Sequence, residues 1–292
     1  MRVQRVVAVL AALTAIAAAT AAGAEGPQPW QMDFRPAASP VMEEIREFNT
    51  LLGIIIIGTG LFVMGLMGWV IIRYNAKANP VPSTTTHNLV VEVIWTVVPI
   101  LILVVIAIPS FRLLYFQDRV EDAEMTLKAT GNQWYWTYEY PDYSLPGSPG
   151  EPLTFDAFMV EDDQLEAGQL RLLETDNHVV LPVDTDIRIL VTAPPEGVIH
   201  AWAVPSFGIK VDAVPGRLNE TWVRITEPGT YYGMCSELCG VLHGFMPITV
   251  DAVSRAEFDA WMEAQLEAWA GLGNEETIRL ASDGATANGE AR

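Results

Sequence analysis

Two long uncharged apolar runs constrain this chain more than any other feature of its sequence. The first covers residues 48–72 and the second covers 93–111, and charged residues bound both. A helix that rises 1.5 Å per residue needs about 20 apolar residues to cross about 30 Å of hydrocarbon. A soluble core helix rarely runs so far without a charge. The sequence therefore predicts transmembrane helices over 48–72 and 93–111.

The charges beside these runs predict how the hairpin is oriented. The connecting loop, residues 73–92, carries Arg73 and Lys77 and no acid before Glu92, whereas the segments beyond both runs are acidic. Cytoplasmic loops carry an excess of Lys and Arg. We therefore expect the loop in the cytoplasm, and the N-terminal segment 25–47 and the rest of the chain in the periplasm.

The first 24 residues have the pattern of a signal peptide. Arg2 and Arg5 precede an uncharged, alanine-rich run that ends in a small-x-small cleavage pattern at residues 22–24. A third transmembrane helix is the alternative, although the run is only weakly hydrophobic. Export would place the chain in an oxidising compartment.

Charge and hydrophobicity occupy different parts of the chain. Half of the residues are hydrophobic and only 18% are charged, yet the net charge is −19. Residues 112–292 contain 30 of the 36 acidic and 11 of the 17 basic residues, so the acidic excess lies in the exported part. This balance disfavours nucleic-acid binding, because phosphate would repel the chain. Two cysteines also exclude a disulfide-rich scaffold.

The region after the second run has the pattern of short strands. Alternating apolar residues and recurrent Pro-Gly turns predict an antiparallel β-sandwich or barrel over 112–252. Ser254 and Glu257 form a capping box before a helix that we predict over 253–270. The expected apolar face of that helix contains Phe258, Trp261, Met262, Leu266 and Trp269. Residues 271–292 have the composition of a flexible tail.

Both cysteines lie in one segment with the spacing Cys-x3-Cys-x3-His-x2-Met, formed by Cys235, Cys239, His243 and Met246. Three interpretations are open. A disulfide is permitted in an exported protein but leaves His243 and Met246 without a role. A Cys2His2 zinc site is chemically sensible. A copper site uses every residue, because thiolate, imidazole and thioether are the ligands of cupredoxin electron-transfer centres.

A copper site of this kind takes a further histidine from a distant strand. His200 is the obvious candidate, because it lies 35 residues before Cys235 in an apolar segment. The remaining histidines, His87 and His178, lie in the cytoplasmic loop and in an acidic turn. A mononuclear blue-copper loop needs one cysteine, so the second thiolate argues for two bridged copper ions.

The cysteine segment resembles the binuclear CuA loop of cytochrome c oxidase subunit II, with the pattern Cys-Ser-Glu-x-Cys-Gly-x-x-His-x-Phe-Met-Pro. Other segments match that family in the same order. They are Glu-Val-Ile-Trp-Thr at 92–96, Gly-Asn-Gln-Trp-Tyr-Trp at 131–136, His-Ala-Trp-Ala-Val-Pro-Ser at 200–206 and Lys-Val-Asp-Ala-Val-Pro-Gly-Arg at 210–217. The resemblance covers about residues 33–252. It implies a membrane-anchored all-β protein in which a two-helix transmembrane hairpin precedes a cupredoxin-like domain and a C-terminal helix.

The same resemblance implies the ligands of the two copper ions. They are Cys235 and Cys239, which bridge the ions, His200 and His243, one on each ion, the axial sulfur of Met246 and the axial backbone carbonyl of Glu237. The side chain of Glu237 is implied to bind magnesium at the boundary with subunit I. Because no position is left open for a substrate, the centre would relay electrons and not react with oxygen.

The resemblance also implies roles for Trp134 and Glu92. Trp134, Tyr135 and Trp136 are expected to alternate along one strand, and Trp134 would be the ring through which cytochrome c passes electrons to copper. Trp136 can equally be an ordinary core residue. Glu92 lies at the cytoplasmic mouth of the second span, where an ionisable residue is often only an interfacial anchor; the resemblance makes it the entrance of a proton path in subunit I.

The acidic surface has two interpretations, solubility and the steering of a basic cytochrome c. The resemblance suggests four docking acids, Glu139, Asp142, Asp176 and Glu196. Gly197 departs from many relatives, which have an acid there.

Together these features imply subunit II of a proton-pumping haem–copper oxidase in a bacterial inner membrane, with subunits I and III, cytochrome c and membrane lipid as partners. A quinol oxidase subunit II would be expected to lack the copper ligands. A copper-delivery or sensor protein would not require the Trp134 strand or the Glu92 span. Nitrous oxide reductase has a similar copper site but no membrane hairpin.

Overall fold

A computed structural model describes residues 26–118, 122–146, 148 and 150–269. The predicted signal peptide, residues 1–24, and the predicted tail, residues 271–292, lie outside the described residues. The chain divides into two compact units. One is a helical hairpin, Glu43–Arg119, and the other combines the segment before the hairpin with the β domain that follows it.

The hairpin consists of helices α1 (Pro40–Arg73) and α2 (Leu89–Asp118), which enclose the two predicted runs. Both helices are longer than the uncharged runs because they continue into charged turns, where Arg112 lies 3.8 Å from Glu44. Both are long and apolar enough to cross a membrane, and the most apolar stretch of each buries none of its residues against the protein. These helices therefore need an apolar environment outside the chain.

The β domain contains ten strands separated by short turns and longer loops. They are β1 (Met125–Asn132), β2 (Tyr135–Ser144), β3 (Pro152–Ala157), β4 (Val179–Pro182), β5 (Ile187–Thr192), β6 (His200–Val204), β7 (Ile209–Ala213), β8 (Asn219–Val223), β9 (Gly229–Met234) and β10 (Pro247–Val253). Buried and half-buried residues alternate along β1 and β5, which is the pattern of strands with one face on a core.

The strands form a five-stranded sheet in the order β3-β2-β1-β5-β8, a three-stranded sheet in the order β4-β10-β9 and the β6-β7 pair. The predicted β-sandwich is confirmed and most of its pairs are antiparallel, but two are not, because β1 runs parallel to β5 and β4 runs parallel to β10. Parallel neighbours need a long connection. The chain provides one in both cases, since other strands intervene between each pair in the sequence.

Helix α3, residues 255–269, closes one side of the core with the apolar face that the sequence predicts. Phe258 and Met262 are buried, whereas Trp269 at the end of the helix is exposed. The helix begins after the predicted residue 253, because Val253 still pairs with β4. The capping box forms as expected: the Glu257 carboxylate accepts from the Ser254 backbone N–H at 2.9 Å.

The segment before α1 belongs to the β domain. The backbone of Ala38 donates to the carbonyl of Ser206 at 2.8 Å and accepts from Thr226 at 3.0 Å. The Arg35 guanidinium donates to the carbonyl of Tyr232 on β9 at 2.6 Å. These bonds make the segment before α1 part of the folded domain and attach Arg35 to β9, the strand that leads to the cysteine segment.

Candidate metal centre

The cysteine segment is a loop whose two ends are fixed at the same place. Strands β9 and β10 are antiparallel, and Met234 at the end of β9 pairs with Pro247 at the start of β10. The Cys235 N–H also donates to the carbonyl of Met246 at 3.3 Å. Residues 235–246 are therefore closed at their base by the sheet, and the loop folds back on itself.

Each thiol of the loop has its own set of neighbours. Cys235 Sγ lies 3.8 Å from His200 Nδ1 and 3.4 Å from the carbonyl oxygen of Glu237. Cys239 Sγ lies 3.5 Å from His243 Nδ1 and 3.6 Å from Met246 Sδ. The two sulfurs are 3.8 Å apart. The cluster therefore has two halves, each with one thiol, one imidazole nitrogen and one weak donor.

His200 reaches the cluster from β6, where it is the first residue of the strand. Burial, together with the neighbouring His243, lowers the pKa of His200 to about 4, so its ring is neutral at physiological pH. Its Nδ1 faces Cys235, and its buried Nε2 has no hydrogen-bond partner among the described residues. Burial and the neighbouring Cys235 raise the pKa of the Cys239 thiol, so a bound cation is needed to ionise it.

The donor set discriminates between the three interpretations of the loop. Both cysteines are free thiols, and 3.8 Å is far beyond the 2.05 Å of a disulfide bond. His200, Cys235 and Cys239 place their ligand atoms within 4.8 Å of one another. Zinc favours nitrogen, thiolate and carboxylate ligands, whereas copper also accepts a thioether. The position of Met246 beside Cys239 therefore fits copper better than zinc.

Two tryptophans attach the loop to the hairpin of β1 and β2. Trp134 Nε1 donates to the carbonyl of Cys239 at 2.9 Å, and Trp136 Nε1 donates to that of Met246 at 3.4 Å. Trp136 is fully buried and its ring lies edge-on to His200, with 6.0 Å between the ring centroids. Trp136 is therefore a core residue, as one interpretation of the sequence predicts, and it also packs against the cluster.

The prediction that Trp134 lies on a strand and shares a face with Trp136 is wrong. Asn132 pairs with Tyr135 and Gly131 pairs with Trp136, which leaves Trp134 in a two-residue turn between the strands. Because Trp134 lies in the turn, the alternation of side chains along β2 does not set the direction of its ring. The half-buried ring extends to the cysteine loop, while Trp136 faces the core.

Two glycines allow the close contacts around the cluster. A Cβ on Gly131 would lie 2.9 Å from three side-chain atoms of His200, so only glycine lets β1 pass beneath that ring. Gly240 has a φ of +115°, and a Cβ there would lie 3.1 Å from the Trp134 ring. Gly131 and Gly240 both lie in segments that resemble the subunit II family. The spacing of the metal ligands does not by itself indicate that these glycines belong to the site.

Comparison with known proteins shows the family to which the chain belongs. The family profile "Cytochrome C oxidase subunit II, periplasmic domain" matches residues 125–253, and the corresponding transmembrane-domain profile matches 27–113. A probable cytochrome c oxidase subunit 2 of Rickettsia prowazekii (strain Madrid E) is 52% identical over 238 residues, which is 81% of this chain and 72% of that protein. The chain belongs to the cytochrome c oxidase subunit II family.

Two further similarities extend the comparison. A probable cytochrome c oxidase subunit 2 of Rickettsia bellii (strain RML369-C) is 48% identical over 257 residues, or 88% of this chain and 91% of that protein. The periplasmic domain of subunit II of cytochrome oxidase from Bradyrhizobium japonicum, known from a crystal structure, has 47% sequence identity to this chain. It covers 51% of this chain and 99% of that domain, with a TM-score of 0.45.

As a member of this family, the chain is a subunit of cytochrome c oxidase that assembles with subunit I. It has two transmembrane helices and a periplasmic domain with a CuA-like cluster of His200, Cys235, Cys239 and Met246. The side chain of Glu237, the predicted magnesium ligand, is exposed on the same loop.

Glu92 lies in the first turn of α2, where it has a structural partner. Its Oε1 accepts from the Asn88 backbone N–H at 3.1 Å, and Asn88 Oδ1 accepts from the N–H groups of Val90 and Val91. Glu92 therefore helps to cap the helix, and its half-buried carboxylate has a second oxygen free of this bond.

Two of the four predicted docking acids, Glu139 and Asp142, lie on β2, the other two lie in loops, and the four differ in their bonding. Glu139 is held in an ion pair, with 2.6 Å between Lys128 Nζ and its Oε1. Asp142 accepts from the Thr126 N–H at 2.6 Å. Asp142, Asp176 and Glu196 are all exposed; Asp176 accepts from the Phe158 N–H at 2.8 Å, and Glu196 lies in the loop before β6. The ring of Phe158 stacks on that of Tyr135, beside the Trp134 turn, with 4.5 Å between centroids. Asp176 is thereby connected to the neighbourhood of the metal centre.

Proposed function

We propose that this chain binds two copper ions as a binuclear CuA centre and is the oxidase subunit that accepts electrons from cytochrome c. The observation that carries this proposal is the division of the cluster into two halves, on Cys235 and on Cys239, each with a thiol, an imidazole and a weak donor. The proposed ligands are the two bridging thiolates, His200 and His243, one for each ion, Met246 and the carbonyl of Glu237. A bound copper pair supplies reversible one-electron transfer.

The protein holds these ligands in a dry and rigid setting. Cys235, Cys239, Met246 and His200 are buried, which excludes water from their donor atoms, whereas His243 is half-buried. The hydrogen bonds from Trp134 and Trp136 fix the loop at two points, the carbonyl of Cys239 and the carbonyl of Met246 at the end of the loop. Ligands that move little when an electron arrives or leaves favour a relay, since reorganisation is small.

We propose Trp134 as the residue through which electrons enter. Its indole donates directly to the carbonyl of Cys239, its ring lies against Gly240, and part of the ring is accessible from outside the domain. A partner that contacts this ring is therefore one hydrogen bond away from a proposed copper ligand.

We propose Glu92 as the entrance of a proton path that continues in subunit I. The predicted orientation places it at the cytoplasmic end of α2, and one of its carboxylate oxygens is not used by the cap. Proton uptake there would support turnover and proton pumping without altering the copper ligands.

The finer assignments of partners rest on the family resemblance and on exposure. We propose that the exposed Glu237 side chain shares a magnesium ion with subunit I, and that subunit III and cytochrome c are further partners. Asp176 and Glu196 would contribute most to the docking of cytochrome c, with Asp142, while Glu139 is already paired with Lys128. We propose that the signal peptide at residues 1–24 directs the chain to a bacterial inner membrane.

Rapid mixing of the assembled oxidase with reduced cytochrome c tests this function. The proposal predicts that the absorbance of the copper centre changes first and that haem reduction follows. Haem reduction that begins without any earlier change at the copper centre would contradict it.

A further inference from the structure

A second histidine cluster lies on the outer face of β9 and β10, away from the metal ligands. His178 Nδ1 lies 2.7 Å from Asp251 Oδ2, and His178 Nε2 lies 2.6 Å from Glu174 Oε1. Only 2% of the Glu174 side chain is accessible. The two ring nitrogens of His178 therefore each face a carboxylate at hydrogen-bond distance.

The remaining carboxylate oxygens are bonded as well. Glu174 Oε2 accepts from the Tyr232 hydroxyl at 3.0 Å, and Asp251 Oδ1 accepts from the Thr230 hydroxyl at 2.7 Å. A neutral imidazole has only one N–H, so one of its nitrogens would direct a lone pair at an ionised carboxylate. An imidazolium donates from both nitrogens and satisfies both contacts.

The charges around His178 favour that protonated form. Asp251 faces it from β10, and Glu174 and Asp176 face it from its own segment. Tyr232 approaches Glu174 from β9, and Arg35 of the N-terminal segment donates to the carbonyl of that tyrosine. The groups of α3 that line the same cavity, Trp261 and Gln265, are neutral.

The balance of these effects favours the protonated form of His178. Burial by itself would lower the pKa of His178, but the hydrogen bond and charge of Asp251, followed by those of Glu174, raise it above its usual value. The pKa of Asp251 is lowered: burial acts against ionisation, and the hydrogen bonds from His178 and Thr230 outweigh it.

The cluster connects three parts of the domain that are distant in sequence. Residues 173–178 lie across the outer face of β9 and β10, and a buried bond from the Thr249 hydroxyl to the carbonyl of Leu173 adds to the contact. Strand β9 leads directly into the cysteine loop and β10 leads out of it. The contacts that hold residues 173–178 on β9 and β10 therefore also stabilise the base of the cysteine loop.

We propose that His178, held as an imidazolium between Glu174 and Asp251, is a positioning residue that clasps residues 173–178 onto β9 and β10, and that its deprotonation in alkaline solution opens the clasp and loosens the cysteine loop. The part of this inference that concerns copper rests on the proposed function. The protonation state and the stability of the domain do not.

The direction of the pH dependence follows from linkage. A histidine whose pKa is higher in the folded than in the unfolded chain stabilises the fold fully below about pH 6.5, its unfolded value. That contribution disappears as the pH rises through the folded pKa. The clasp therefore weakens on the alkaline side and is unaffected by mild acid.

Nitrogen NMR of the full-length chain, labelled at histidine and with reduced copper bound, tests the protonation state. The chain has four histidines, so comparison with the H178R variant assigns the signal of His178. We expect both ring nitrogens of His178 to be protonated at pH 7 and the ring to lose a proton only at higher pH. A singly protonated His178 ring at pH 7 would overturn the proposal.

A chelator challenge between pH 6 and pH 9 tests the positioning role. We expect the wild-type chain and the control H87Q to lose copper severalfold faster at pH 9, whereas H178R, with a permanent cation, shows a flat profile. H178Q should lose copper at the fast rate at both pH values, which keeps the test decisive if arginine fits poorly. A wild-type profile that matches that of H178R or H178Q would overturn the clasp.

Thermal unfolding separates this inference from the proposed function. If the chain binds no copper, the proposed function fails, yet the clasp still predicts that the wild-type melting temperature falls between pH 6 and pH 9 by more than that of H178R. Equal decreases in the two proteins would overturn the clasp even if copper binds as proposed.

Discussion

The two units of this chain use apolar side chains in opposite ways. In the hairpin these side chains point outward, and about three quarters of the surface of Ile72 and Leu89 is accessible (75% and 73%). In the β domain, Leu127, Ile189 and Phe258 are completely buried in one core. The hairpin therefore acquires its environment from lipid and partner subunits, whereas the β domain builds its own.

This difference determines where each unit can carry function. The β domain can hold a metal cluster, because its core fixes β6 and the cysteine loop at separations of 3.4–3.8 Å between donor atoms. The hairpin has one ionisable group in the first turn of α2, Glu92, and any path that begins there must continue in another subunit. Changes in the β domain should therefore affect metal binding or electron uptake, and changes in the hairpin should affect turnover without altering the copper centre.

The largest expected effect comes from removing one bridging sulfur. Cys239→Ser replaces a soft donor with a hard oxygen and removes the contacts to both His243 and Met246. We expect the copper content to fall from two ions to one or none and the mixed-valence signal to disappear, as measured by elemental analysis and electron paramagnetic resonance. Leu238→Ala, an exposed change between the two cysteines, is the control and should leave both unchanged. Retention of the mixed-valence signal in Cys239→Ser would contradict the proposal that Cys239 binds copper.

The next effect separates electron uptake from metal binding within the β domain. Trp134→Ala should slow electron uptake from reduced cytochrome c by orders of magnitude while the copper absorbance remains, because Trp134 bonds to a carbonyl and not to copper. Trp134→Phe keeps a ring but loses the N–H donor and should be intermediate. Stopped-flow mixing measures both variants, and a wild-type rate in Trp134→Ala would remove Trp134 from the path.

A change in the hairpin tests the other side of the comparison. Glu92→Ala should slow oxygen-consuming turnover severalfold and leave the copper spectrum unchanged. Glu92→Gln retains an oxygen that can accept from the Asn88 N–H but cannot carry a proton. Equal slowing of both variants supports a proton path, whereas normal turnover in Glu92→Gln would reduce the residue to a helix cap.

The smallest effect concerns the surface of the β domain. Asp176→Asn removes one exposed charge beside the Tyr135–Phe158 stack and should slow the association of cytochrome c roughly twofold at low salt. The difference should vanish at high salt, where charges are screened. An association rate that is insensitive to salt would exclude electrostatic steering for this chain.

The sequence predicted those parts of the molecule that depend on runs and spacing. The hairpin follows from two uncharged stretches, since a membrane selects for length and polarity alone. Cys235, Cys239, His243 and Met246 lie close together because they share one short loop, and His200 was identified as an apolar-segment histidine upstream.

The features that the sequence did not predict depend on tertiary pairing. The position of Trp134 in a turn follows from the register of β1 with β2, which alternation alone does not reveal. The parallel pairing of β1 with β5 depends on long connections. The acidic residues near His178 in the sequence indicate only an acidic turn, because Asp251, which completes the cluster with Glu174, is 73 residues away.

The copper content and spectrum of the purified full-length chain test the central claim most directly. Two thiolates, two imidazoles and two weak axial donors predict two copper ions per chain and a purple, mixed-valence signal in which one unpaired electron is shared between them. A single copper ion, a zinc ion or no metal would contradict the account.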